Sequence, residues 1–134
     1  MPDETRQALA DILPQLGVQA EDDPKQIVSA VRAYVAASAS YDLNTPSVPN
    51  GEDFVSWFLH DSETGYCVHF ATAAAILLRC LDVPARYVTG YSTTLTANEW
   101  TTVTSDDAHA WVEYYIDGIG WYVLDPTPAA DTPA

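Results

Sequence analysis

Residues 65–81 read GYCVHFATAAAILLRCL and predict a buried helix that carries a cysteine in its first turn. Across residues 70–78 every residue except Thr72 is apolar, a pattern typical of a helix that other elements surround. A thiol at Cys67 would lie at the positive end of the helix dipole, beside backbone N–H groups that lack intrahelical partners. These surroundings favour the thiolate, the reactive form of cysteine. The alternative is that Cys67 only packs, since cysteine is among the most buried residue types.

The composition indicates a single globular domain. A chain of 134 residues is long enough for one core, and we expect one domain over residues 1–128 followed by a Pro/Ala-rich tail at residues 129–134. The net charge of −14 repels phosphate backbones, so nucleic acid is not expected as a partner. No apolar run is long enough to cross a bilayer, so direct membrane insertion of this segment is not expected.

The two cysteines are not expected to form a disulfide. Cys67 and Cys80 are 80 − 67 = 13 positions apart in one predicted helix, which separates them by roughly 20 Å along its axis. Cys80 lies near the C-terminal end of that helix, where the dipole disfavours a thiolate, so we interpret it as a core residue.

Helices are predicted before the cysteine helix and strands after it. The patterns predict helices at residues 4–16, 24–38 and 52–60, and an irregular loop at residues 41–51. They predict strands at residues 85–91, within 93–104, and at 109–116 and 121–125, the last two joined as a hairpin. This order indicates an α+β fold in which an antiparallel sheet packs on the cysteine helix.

A thiol nucleophile needs a base that activates it, and His109 is the best candidate for this base. His69 lies two positions after Cys67, about 200° around the same helix, so it cannot face the sulfur. His109 opens a strand, and its ring can stand at the sheet edge above the helix start. The alternative is a strand-edge histidine bonded to a neighbouring aspartate.

Asp125 could orient the His109 ring, because it ends the strand that pairs with the His109 strand. Asp125 precedes Pro126, so a simple Asp-Pro turn is the alternative. The two side chains share a sheet face only if the hairpin loop has an odd number of residues or a bulge. We therefore predict a three-residue loop or a bulge within residues 116–121.

Three blocks, GYCVHFATAAAILLRCLDVPARYVTGY, DAHAWVEYY and GWYVLDPTP, resemble the transglutaminase-like core domain of the papain-like cysteine acyltransferases and peptidases. The resemblance covers about residues 41–128. It is strongest to a bacterial branch that is often found in an extracytoplasmic part of larger membrane proteins. It implies a papain-like fold, a Cys67–His109–Asp125 triad, a protein or peptide substrate and no cofactor.

The resemblance also bears on residues around the triad. It implies an aromatic donor for the oxyanion, for which Tyr41 is the best candidate, although a tyrosine that only packs on the domain is the alternative. Val68 stands where this branch often has an acidic residue, and we interpret it as a tuning position. Trp111 and Trp121 could wall the substrate groove or belong to the core. Glu113 could be a second carboxylate near the site or a partner for Arg86.

The first functional hypothesis is acyl transfer on amide or peptide bonds through a thioester, with water or an amine as acceptor. Hydrolysis is slightly favoured, because the short chain offers no further domain to shield a thioester. The second hypothesis is a non-catalytic peptide-binding module on the same fold. A zinc site made by Cys67, His109 and Asp125 is a third reading, weakened by the missing fourth ligand.

Overall fold

The fold was analysed in a computed structural model, which describes residues 3–91, 97, 100 and 108–127. The helices in this part are α1 (Asp3–Ile12, extended by the 3-10 turn Leu13–Leu16), α2 (Pro24–Ala37), α3 (Phe54–Ser56, extended by the π-helical turn Trp57–Asp61) and α4 (Cys67–Cys80). The strands are β1 (Ser40–Tyr41), β2 (Thr64–Gly65), β3 (Ala85–Tyr91), β4 (Ala108–Ile116) and β5 (Gly120–Leu124). The predicted helices and the predicted strands on either side of residues 92–107 are confirmed. Most of the predicted strand region at 93–104, and the predicted tail at 129–134, lie outside the described residues.

The cysteine helix α4 is the centre of the fold. Its side chains are buried on several faces, including Phe70, Ala74, Leu77 and Leu78, all at 0% exposure. Helix α2 packs on one side of it and strands β3 and β4 on the other. Four alanines in its middle, at positions 71 and 73–75, let these neighbours approach closely. The α+β fold class, with an antiparallel sheet against the cysteine helix, is confirmed.

The sheet presents one face to α4 and the other to solvent. Its strand order is β3-β4-β5, and both pairings are antiparallel. Ala110, Val112 and Leu124 are buried on the inner face. Ile116 pairs with Gly120, so the hairpin loop is the three residues Asp117, Gly118 and Ile119. The predicted three-residue loop is therefore confirmed.

A short parallel pairing between β1 and β2 was not predicted. Tyr41 is the register partner of Gly65, and the Asp42 N–H donates to the Gly65 carbonyl at 2.7 Å. On the other side, the Ser40 N–H donates to the Glu63 carbonyl at 2.9 Å. These bonds fasten the loop that carries Tyr41 to the segment that leads into α4.

Gly65 permits the close packing at the start of α4. A Cβ atom on this residue would lie 2.6 Å from Cε1 of Phe58 and 3.2 Å from Cβ of His69. Phe58 is fully buried, and its ring stacks on Phe54 and meets the edge of Phe70, so it has no room to withdraw. A side chain at position 65 would therefore push the start of α4 away from the aromatic cluster.

We predict that Gly65→Ala lowers the free energy of unfolding by about 1–3 kcal/mol, as overpacking of a filled core usually does. In a Phe58→Leu background the same change should cost less, because the clashing ring atoms are gone. Urea denaturation of the wild type, both single variants and the double variant measures this coupling. Strictly additive losses would contradict the described contact.

Candidate active site

A groove of about 790 Å³ opens at the N-terminal end of α4. Its walls come from Tyr41 and Leu43 after β1, from Tyr66, Cys67 and Val68 at the start of the helix, and from residues 89–91 and 108–110 of the sheet. Cys67 and His109, predicted from the sequence to meet, both line this groove. Its position between the helix start and the sheet edge is the one expected from the sequence.

Cys67 is the first residue of α4. The residue is 9% exposed, so most of its surface is covered while it still lines the groove. The N–H groups of the first helical turn have no acceptor within the helix and carry the positive end of its dipole. A negative charge on the sulfur, or on an oxygen beside it, would be stabilised at this place.

His69 caps the same helix and does not point to a catalytic role. Its Nδ1 accepts a hydrogen bond from the Tyr66 N–H at 3.1 Å, which satisfies the amide just before the helix. The ring stacks on Phe54 and Phe58. Burial lowers the pKa of His69 below 6.5, and the neutral ring is the form whose Nδ1 can accept this bond.

His109 and Asp125 form a direct hydrogen bond. His109 Nε2 lies 2.6 Å from Asp125 Oδ2, and since an ionised carboxylate only accepts, the imidazole donates. The register that follows from the three-residue hairpin loop places Asp125 two positions along the ladder from His109, on the same sheet face. The expected pairing of these two side chains is therefore present.

The Asp-Pro turn holds the Asp125 carboxylate in place. Its Oδ1 accepts a hydrogen bond from the Thr127 N–H at 3.1 Å, and the intervening Pro126 is buried. The turn and the pairing with His109 were alternative readings of the sequence, and the structure has both. One oxygen serves the turn and the other serves the imidazole.

Trp111 packs against the His109 ring from the outer face of the sheet. The two rings are stacked, with centroids 6.2 Å apart and an interplanar angle of 26°. The indole lies over Gly90, where a Cβ atom would come within 2.7 Å of Trp111 Cη2. Trp111 also lines a smaller cavity of about 300 Å³ beside His109 and Asp125. It therefore lies behind the imidazole and does not line the cysteine groove.

The expectation that Trp121 walls the substrate groove does not fit the structure. Trp121 pairs with Tyr115 near the hairpin loop, and its ring lies under the Arg86 guanidinium at 3.9 Å. It lines neither of the two cavities. Asp125 lies four positions further along the extended chain, about 13 Å away, so Trp121 is too far from it to wall the groove.

Of the two roles considered for Glu113, pairing with Arg86 is the one observed. Arg86 Nε donates to Glu113 Oε1 at 2.8 Å, and Nη2 lies 2.7 Å from the same oxygen. Glu113 also borders the smaller cavity beside Asp125. Its charge there is already matched by the guanidinium.

Two tyrosines lie near the sulfur. Burial raises the pKa of Tyr41, and a negative charge on Cys67 raises it further. The same two effects, in the same order, raise the pKa of Tyr87. Both phenols are therefore held in the protonated, hydrogen-donating form. Tyr41 was proposed from the sequence, but Tyr87 was missed. Tyr87 lies on the same face of β3 as Ala85 and Thr89, which is the face toward α4.

The described part of the chain gives the zinc reading no support, since no three of its His, Cys, Asp or Glu side chains converge as metal ligands. Likewise, none of its helices is long and apolar enough to cross a membrane.

Comparison with known proteins identifies the family. Residues 12–126 match the model of the transglutaminase-like superfamily. A Pseudomonas aeruginosa protein named protein-glutamine gamma-glutamyltransferase is 39% identical over 123 residues, which cover 90% of this chain and 18% of that protein. The chain belongs to the transglutaminase-like superfamily.

Two further relatives extend this placement within the transglutaminase-like superfamily. YebA of Bacillus subtilis, an uncharacterised protein, is 35% identical over 128 residues, which cover 87% of this chain and 17% of YebA. The crystal structure of the periplasmic domain of TgpA from P. aeruginosa, bound to ethylmercury, has a TM-score of 0.76 and 35% identity, and covers 94% of this chain and 45% of that one. This transglutaminase-like chain thus spans less than a fifth of the two curated relatives and under half of the TgpA structure.

We predict that acid weakens the fold partly through His69. Because burial lowers its pKa in the folded protein, the unfolded chain binds the proton first as pH falls through 6.5. The stabilisation of the fold by neutral His69 is therefore complete above pH 6.5, and it is lost as the pH falls toward the lower pKa of the folded protein. His69→Asn keeps an acceptor for the Tyr66 N–H but cannot titrate.

Urea denaturation of the wild type and of His69→Asn at about pH 7.5 and about pH 5 measures this effect. The wild type should lose more free energy of unfolding over this interval than the variant does. Equal losses in the two proteins would contradict a buried, neutral capping histidine.

Proposed function

We propose that this transglutaminase-like domain catalyses cysteine-dependent acyl transfer from a carboxamide through a thioester. The observation that supports the proposal most is that Cys67 and His109 line one groove, while Asp125 Oδ2 lies 2.6 Å from His109 Nε2. A nucleophile, a base and a group that orients the base are the parts that such chemistry needs.

The first step forms the thioester. Because Asp125 engages Nε2, Nδ1 is the imidazole nitrogen that takes the proton from the Cys67 thiol. The thiolate attacks the carboxamide carbon, and the resulting oxyanion is stabilised by the Cys67 N–H at the helix start and the Tyr41 hydroxyl. His109 then gives its proton to the departing nitrogen, which leaves as ammonia or an amine, and the acyl group remains on sulfur.

The second step releases the acyl group. His109 takes a proton from the incoming nucleophile, which attacks the thioester carbon and restores the free thiol. We propose that a primary amine is the acceptor when one is present and that water serves otherwise. The relative named a protein-glutamine gamma-glutamyltransferase supports an amine acceptor. The open rim of the groove, where Leu43 and Tyr91 are exposed by 68% and 64%, leaves the thioester accessible to water as well.

The substrate class and the location are proposed from the relatives. The P. aeruginosa relative is named a protein-glutamine gamma-glutamyltransferase, so we propose a protein-bound glutamine as the acyl donor. The TgpA match is to a periplasmic domain, and the chain covers only part of each relative. We therefore propose that it acts as an extracytoplasmic domain of a larger bacterial membrane protein.

Mass spectrometry of the products tests the reaction. The domain is incubated with a glutamine-containing peptide, with and without a primary amine. We expect an amide-linked product with loss of ammonia when the amine is present, and deamidation of the glutamine without it. Cys67→Ala should abolish both products, and Asp125→Ala should reduce both by at least about 10²-fold. Cleavage of the peptide chain instead would show a protease, and product formation by Cys67→Ala would contradict the proposal.

Selective alkylation of Cys67 offers an independent prediction, with Cys80 as the control within the same chain. Burial, and then the Asp82 carboxylate, raise the pKa of Cys80, so its thiolate is scarce at neutral pH. Cys67 lies at the positive helix end instead. Iodoacetamide at neutral pH should label Cys67 at least about tenfold faster than Cys80, as followed by peptide mass spectrometry.

The same labelling also tests the part assigned to His109. In His109→Ala the rate at Cys67 should fall while the rate at Cys80 stays unchanged. Slow labelling of Cys67 that resembles Cys80 in both proteins would favour the non-catalytic peptide-binding module over the enzyme.

A further inference from the structure

The described lining of the groove beside Cys67 carries no charged side chain, although the protein as a whole is strongly acidic. Charged residues make up 18% of the chain, and 19 of them are acidic. Yet none of the described residues that line the groove is Asp, Glu, Lys or Arg. Apart from Cys67 and His109, the polar groups of this lining are tyrosine and threonine hydroxyls and the backbone. A charged side chain entering the groove would lose water without gaining a counter-charge from these described residues.

Leu43 is an exposed side chain at one side of the groove, and it lies in a turn that hydrogen bonds stabilise. The Asp42 carboxylate accepts from the Asn44 N–H at 2.9 Å, and the Thr45 hydroxyl donates to the Asp42 carbonyl at 2.6 Å. Thr45 is also within 3.0 Å of the Thr64 hydroxyl on β2. The turn therefore fixes the leucine in place, although 68% of its surface is exposed.

Val68 is a second exposed apolar side chain in the groove lining, and it directly follows Cys67 in the sequence. It is the second residue of α4, lines the groove, and is 38% exposed. Tyr91, at 64% exposure, lies at the end of β3 in the same lining. Exposed apolar groups that cluster around one concave site usually mark a surface that a ligand covers.

We propose that the groove selects a peptide whose side chains next to the reacting carboxamide are apolar and uncharged, and that Leu43 and Val68 set this preference. The identity of the reacting carboxamide rests on the function proposed above. The preference itself rests on the lining. An acidic neighbour is disfavoured twice, by desolvation in the groove and by the net charge of −14.

Binding to the Cys67→Ala protein tests the preference without turnover. Three peptides share one sequence around a central glutamine, which is flanked on both sides by leucine, glutamate or lysine. Isothermal titration should give a Kd at least about tenfold lower for the leucine peptide than for either charged peptide.

Variants within the Cys67→Ala protein identify the residues responsible. Val68→Glu and Leu43→Glu should each weaken the leucine peptide and strengthen the lysine peptide, so that the ratio of the two Kd values shifts about tenfold. Ile119→Glu is the matched control, because Ile119 is 64% exposed in the β4–β5 loop and lines neither cavity. It adds the same charge and should leave the ratio unchanged.

The outcomes separate this inference from the proposed reaction. Preferential binding of the leucine peptide supports the inference even if the wild type turns over none of the peptides, in which case the proposed reaction fails alone. Equal binding of all three peptides, no binding of any, or an equal shift in Ile119→Glu would overturn it. Circular dichroism of each variant verifies that it is folded.

Discussion

The hydrogen bond between His109 and Asp125 is the interaction on which the site depends, and the length of a loop makes it possible. With three loop residues, Ile116 pairs with Gly120, and the two side chains fall on the same face of the sheet. A two-residue loop would have turned one of them to the opposite face. The Thr127 N–H then fixes the second carboxylate oxygen, so the aspartate cannot turn away from the imidazole. Local backbone geometry at the hairpin thus orients the proposed base.

The other half of the site depends on how α4 begins. Gly65 lets the chain pass close to Phe58, His69 satisfies the amide before the helix, and Cys67 follows as its first residue. The β1–β2 pairing carries Tyr41 to the same place. The buried body of α4 then anchors this helix start against β3 and β4. The proposed nucleophile, the proposed oxyanion donor and the proposed base are therefore brought together by separate elements that meet on one core.

Much of this arrangement could be predicted from the sequence because its signals were strong. Nearly uninterrupted apolar character predicted α4, the position of Cys67 in its first turn suggested a candidate nucleophile, and the parity of the hairpin linked His109 to Asp125. Features without periodicity were missed. A two-residue strand such as β1 leaves no pattern, and the capping role of His69 depends on a side-chain direction that sequence spacing does not give. Trp121 was placed near the groove because it belongs to the same sequence block as Asp125, although four positions of extended strand put it about 13 Å away.

The direct test of this account is covalent bridging of Cys67 to His109 with 1,3-dibromoacetone in a Cys80→Ala protein. The reagent alkylates the thiol first, and its second arm then reaches only a nitrogen a few ångströms from the sulfur. If the two residues share one groove as described, peptide mass spectrometry will find a three-carbon bridge from Cys67 to His109. A single-arm adduct on Cys67 without a bridge, or a bridge to His69, would contradict it.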